Sequence, residues 1–198
     1  MTTTTKKTTP KTKTVKAKAT PIPNLPVNPF VFEVLEAASK QRTKAKKIEV
    51  LQRYAHDSVM TVLIWNFDDS IISLLPEGDV PYGNTREDNS VTGSLSDKIN
   101  DAVGMMRESG SASLGSQDQG KASIRGEYTK FYNFLKGGNN GLSSLRRETM
   151  FINILEGLHP LEAEILVLVK DKKLTDRYKI TKEIVGAAYP QIVWGGRS

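Results

Sequence analysis

Carboxylates, histidines and a lysine set beside glycines are the residues of this chain whose types could do chemistry. Asp68, Asp69, Glu77 and Asp79 lie close enough in sequence to suggest a divalent cation. Their spacing lacks the regular alternation of a calcium loop, so they read as an acidic turn. His56 and His159 have no cysteine or second histidine at ligand spacing, so they read as a capping or surface residue and a turn residue. Glu33 with Glu36, and Glu162 with Glu164, are carboxylate pairs that ordinary helix-surface spacing explains. Lys136 beside Gly137, Gly138, Asn139 and Asn140 offers bare backbone amides to a phosphate. The order is not that of a nucleotide-binding P-loop, and the turn reads as structural.

No nucleophile elbow, zinc-protease helix, dinucleotide fingerprint or K-x-D-G adenylation motif occurs. There are no cysteines and only two histidines, which leaves little for a transition metal. The expectation is a protein that is not an enzyme and uses no metal and no cofactor.

Charge points elsewhere. The chain has 198 residues and a net charge of +6. Residues 1–24 hold six lysines (Lys6, Lys7, Lys11, Lys13, Lys16 and Lys18) and no acid. Removing those six from the 28 basic residues leaves 22, against 22 acidic ones, so the rest of the chain is formally neutral. Any nucleic-acid contact by the body must rest on local patches. Three such patches are legible. Lys44, Lys46 and Lys47 crowd the first turn of an expected helix, where cations oppose the helix dipole and folding alone does not favour them. Arg146 and Arg147 do the same at a later helix start, and helix amides with arginines make a phosphate seat. Lys170, Lys172, Lys173, Arg177 and Lys179 surround a connector near the C-terminal end.

The elements that would carry these residues are helical. Residues 1–28 are expected to be a disordered Thr/Lys tail and a proline-rich linker, with too few apolar residues to offset ordering entropy. The tail would engage DNA phosphates by counterion release. It has no apolar core, so no secretory signal is expected, and no window approaches a membrane span. Periodicity predicts helices over 30–40, 44–54 (capped by Thr43) and 59–67, the last apolar nearly all round and therefore central. Residues 78–124 read as a mobile insertion with one amphipathic island over 96–108. Further helices are expected over 127–136, 145–158 and 182–188, the last capped by Thr181. Residues 161–170 read as a buried strand or a helix, with Pro160 and the early glutamates favouring the helix. The body should thus be an all-α domain of about six to eight helices over 29–193, with 194–198 frayed.

Two resemblances attach to these residues. The segments KAKKIEVLQRY, FYNFLKGGNNGLSSLRRETMFINILEGLHPLEAEILVLVKDKKL and KEIVGAAYP resemble a family of uncharacterised small proteins of marine cyanobacterial tailed phages. That resemblance implies phage origin, with a place in the host cytoplasm during infection or in the virion, and no activity. More loosely, the layout is similar to the helical N-terminal DNA-binding domain of ATP-dependent DNA ligases. It shares a lysine-rich opening helix pair, and a Lys170-Asp171 step leading to a helix that finishes at Tyr189-Pro190. The ligase resemblance implies backbone contacts from Lys172, Lys173, Thr175, Lys179 and Thr181. Thr175 stands where the ligase pattern has glycine.

The resulting expectation is a non-enzymatic phage protein that binds duplex DNA through the phosphate backbone without reading sequence. The competing expectation is a virion structural component, or a factor that binds a phage or host protein.

Overall fold

Helices account for the architecture of the computed structural model, which describes residues 22–80, 94–108 and 122–196. The elements run α1 (Val31–Ser39), α2 (Lys44–Arg53), α3 (Asp57–Phe67), α4 (Leu95–Glu108), α5 (Ile124–Glu127), a 3-10 helix (Tyr128–Phe134), α6 (Ser144–Gly157), α7 (Pro160–Lys170), α8 (Leu174–Arg177) and α9 (Lys182–Ala188). The class is all-α, as expected. The nine α-helices among the described residues exceed the expected six to eight because α5 and α8 are single turns. β-Pairing among the described residues is confined to two isolated bridges, Ser73 with Leu135 and Ala122 with Leu158. No described helix is long and apolar enough to cross a membrane.

The segment 161–170, open between strand and helix in sequence, is α7 and forms the hub of the fold. It packs against α1, α3, α4, α6 and α8. Leu161, Ala163, Ile165, Leu166 and Val169 are all buried, so α7 is surrounded rather than amphipathic. His159 caps its start by accepting the Leu161 amide on Nδ1 at 3.2 Å, and Pro160 fixes the first turn. The ring of His159 is fully buried and packs against both Phe30 and Phe32, with centroids at 5.8 and 5.2 Å, in a cluster of three rings. It is therefore a core residue as well as a turn residue.

The glutamate pair of α7 is not a surface pair. Glu162 is fully buried and Glu164 nearly so. Glu162 accepts the Val31 amide at 2.8 Å and the Ile124 amide at 2.7 Å, so one carboxylate closes the N-termini of both α1 and α5. Glu164 takes both of its bonds from the Arg107 guanidinium, at 2.7 and 2.9 Å, which ties α4 to α7. Ile99, Val103 and Met106 of α4 are buried. The stretch 78–124, expected as a mobile insertion, thus supplies a core helix, because the period-3.6 stripe over 96–108 has an apolar partner to cover it. Residues 81–93 and 109–121 lie outside the described residues.

Within the segment 127–136, expected as one helix, Tyr128–Phe134 is a 3-10 helix and Glu127 closes α5. Tyr128, Phe131 and Phe134 recur every third residue, the period that aligns side chains on one 3-10 face. Phe131 and Phe134 are fully buried against Trp65, with centroids at 5.7 and 6.3 Å. The turn that follows needs glycine: a Cβ at Gly138 would lie 1.9 Å from the Tyr132 carbonyl oxygen, and Gly137 has φ +81°.

Both ends of the described body are held. The Tyr54 hydroxyl donates to the Pro23 carbonyl at 3.0 Å and accepts the Leu25 amide at 2.9 Å, so the linker from Ile22 onward lies against the body. Asp68 accepts the Gly195 amide at 3.1 and 3.2 Å, and Trp194 packs against the core. Of the tail and linker expected over 1–28, residues 1–21 with their six candidate lysines lie outside the described residues, as do 197–198.

Candidate nucleic-acid interface

The first turns of α2 and α9 meet at one edge of the fold, and their packing decides which basic residues are neighbours. Thr43 caps α2 by accepting the Lys46 amide at 3.3 Å. Thr181 occupies the same position before α9 without a side-chain capping bond, and its hydroxyl is exposed. Lys44 Nζ reaches across to Glu183 of α9 at 2.7 Å. Lys47 Nζ donates to the Lys179 carbonyl, and the Lys179 amide donates to Ser39 Oγ at 3.1 Å. The end of α1 and the starts of α2 and α9 are therefore stitched into one seam.

Of the candidates read from sequence, this seam brings together Lys44, Lys46, Lys47, Lys179 and Thr181, and adds Lys40 and Lys182, which sequence reasoning did not single out. Its electrostatics are mixed. Lys40 pairs with Glu36 at 3.0 Å, Lys46 with Glu49 at 2.7 Å and Lys182 with Asp69 at 2.9 Å. The Lys182 hydrogen bond and charge hold the Asp69 carboxyl below the ordinary range. Such exposed pairs contribute little and open readily to a polyanion. Lys179 has no acidic partner among the described residues. Partial burial, and then the charge of Lys179, lower the pKa of Lys47. Adjacent ammonium groups of this kind are relieved by an incoming anion.

The second patch divides. Arg146 is exposed in the first turn of α6, whose N-cap Ser143 accepts the Arg146 amide at 3.4 Å. Arg147, one residue on, is buried and donates to the carbonyls of Asn133 at 2.7 Å, Leu142 at 3.0 Å and Asn139 at 3.1 Å. Its guanidinium clamps the glycine turn onto the 3-10 helix and is not presented to solvent. Lys136 is exposed at the same turn.

The connector divides likewise. Lys170 is buried and donates to the carbonyls of Pro76 and Gly78 at 2.7 and 3.0 Å and to Asp171 at 2.5 Å. It anchors the loop after α3, a second correction to the sequence reading. Lys172 ends α7 in the left-handed region, φ +57°. Its amide donates to Val169 and the Lys173 amide to Leu168, the double bond of a helix stop usually built on glycine. Its ammonium donates to the Asp68 carbonyl at 2.9 Å. Lys173 and Thr175 are exposed on and before α8. Thr175 has helical backbone, so the left-handed residue of this connector stands three positions earlier. Among the described residues no cluster of three or more His, Asp or Glu is placed to hold a metal.

A family model described as a family of unknown function, DUF6433, matches residues 34–103 and 108–176. No curated protein and no solved structure matches the chain.

Proposed function

The chain belongs to the DUF6433 family, whose function is unknown, and from that premise we propose that it is a non-enzymatic phage protein that binds duplex DNA through the phosphate backbone. The observation that carries the reading is the α2/α9 seam. The start of α2 sets three cations against its own dipole, and its stitching to the start of α9 brings Lys44, Lys47 and Lys179 to one seam. An anionic backbone lying along the seam meets amide donors, hydroxyls and ammonium groups together. None of these groups forms the planar fork that reads a base edge, so contact there is independent of sequence. Arg146, Lys136 and Lys173 are further solvent-facing contacts. The lysine tail adds affinity that falls with salt. The phage assignment rests on the resemblance of the KAKKIEVLQRY and FYNFLKGGNNG segments.

The test is a salt-dependent duplex-binding titration. Replacing Lys44, Lys47 and Lys179 together by Gln lowers affinity uniformly across sequences and reduces the slope of log K against log salt. Replacing the buried Arg147 does not serve as such a test, since it acts on folding.

One observation favours the other class, a virion or protein-interaction component. A groove of about 650 Å³ runs between α6 and the 3-10 helix, lined by Met150, Ile154 and the 74% exposed Leu145, with Arg146 and Lys130 at its edge. Purified virions carrying the protein in stoichiometric amount support that reading instead.

A further inference from the structure

The opposite side of the 3-10 helix carries a smaller groove, of about 370 Å³, walled by α3. Trp65 lines it, with Tyr128 and Phe131 beside it and Tyr132 at the rim. Tyr132 is 53% exposed, a large ring left in water although its neighbours Phe131 and Phe134 are fully buried. Thr61 and Thr129 add hydroxyls. Lys136 is the only charged residue in the lining, and no acid pairs with it among the described residues. Trp65 is itself buried, and its indole N–H has no acceptor among the described residues. A groove of this size is within the range of small-ligand sites. Its contents are specific: the exposed ring of Tyr132 over a buried aromatic floor, hydroxyls and one uncompensated cation at the mouth.

We propose that this groove binds a single unpaired nucleotide of DNA, with its base against the aromatic wall at Tyr132 and its 5′-phosphate on Lys136. Stacking on aromatic side chains is how single strands are held without sequence preference, because every base presents a π-face. The single cation suits a phosphodiester, which carries one charge. The site goes beyond backbone contact at the α2/α9 seam and uses none of its residues, so the two can fail separately. Together they would suit a junction, with duplex on the seam and a frayed or flipped base in the groove.

Trp65 is a reporter already in place. In a Trp194→Phe chain it is the only tryptophan, and its fluorescence should be quenched by a short oligothymidylate and, more weakly, by thymidine monophosphate. Thymidine and inorganic phosphate, given separately, should each bind more weakly than the monophosphate. Tyr132→Ala, at an exposed position, should weaken the oligothymidylate by about tenfold. Lys136→Gln should reduce its salt slope by about 0.7, the contribution of one single-strand phosphate. Tyr132→Ala should leave duplex binding unchanged, whereas the Gln triple variant of the seam should weaken duplex binding and spare the monophosphate. The inference is overturned if no quenching occurs, or if Tyr132→Ala binds the oligothymidylate like the parent. It is also overturned if a phenylalanine-terminated peptide competes for the groove while the monophosphate does not. Loss of duplex binding alone would sink the seam and leave the groove standing.

Discussion

Glu162 and Val31, 131 residues apart, are joined by a 2.8 Å hydrogen bond from the Val31 amide to the buried carboxylate. The other carboxylate oxygen serves Ile124, so one side chain of the hub helix satisfies the starts of two others. The local charges are Arg125, which favours the ionised form, and Glu33, which opposes it. Burial outweighs the two amide donors and pushes the carboxyl from its ordinary 4.5 up to about 7.

The sign of the resulting pH dependence follows. Between pH 4.5 and 7 the unfolded carboxyl has lost its proton while the native one retains it. The native state binds more protons there, so the contribution of Glu162 to stability falls as pH rises through that window. Glu162→Gln does not titrate. The stability of the parent minus that of the variant should therefore shrink from pH 4.5 to 7, by ~3 kcal/mol at most. Urea unfolding across that range measures it, and a difference that stays flat would contradict the assignment.

Arg147→Ala should destabilise the fold by about 2–4 kcal/mol, because three backbone carbonyls lose a charged donor. Arg147→Lys should recover only part of the loss, since an ammonium lacks the planar fork. Thermal unfolding reads both. A loss below about 0.5 kcal/mol for the alanine variant would mean that the clamp is dispensable.

Gly138→Ala should cost about 2–4 kcal/mol, because the new methyl lands on the Tyr132 carbonyl, an atom of backbone that cannot swing aside. Gly137→Ala meets no neighbour and pays only for its positive φ, about 1 kcal/mol. Denaturant midpoints of the two variants should rank in that order.

Lys172 pays for its left-handed backbone and recovers part of that through the Asp68 carbonyl. Lys172→Gly should leave stability within about 1 kcal/mol of the parent, since the relief of strain and the lost bond oppose one another. Lys172→Val should fall well below both, because a β-branched side chain tolerates that φ least. Chemical denaturation of the three chains gives the order.

Much of the fold was legible. Thr43 and Pro160 marked helix starts because capping and proline chemistry are local. The three-residue spacing of Tyr128, Phe131 and Phe134 was legible too, but it satisfies an α-helical face nearly as well as a 3-10 one. What sequence could not give was long-range use of charge. Glu162, Arg147 and Lys170 look like surface residues by type, and only their partners, up to 131 residues away, make them interior. For the candidate interface the same blindness cut both ways. It placed Arg147 and Lys170 among solvent-facing cations, and it missed Lys182 and Lys40, which only the packing of α2 on α9 and α1 brings to the seam.

The most direct test of the DNA-binding reading is duplex affinity against salt for three proteins: the full chain, a chain beginning at Ile22, and that shorter chain with Lys44, Lys47 and Lys179 changed to Gln. Beginning at Ile22 keeps the segment that lies on Tyr54. The shorter chain should still bind at low salt, with a smaller slope than the full chain. The triple change should remove a further slope of about 2 to 3, at roughly 0.9 per phosphate. A shorter chain that binds no duplex at low salt, or a triple variant that binds like its parent, would contradict the account.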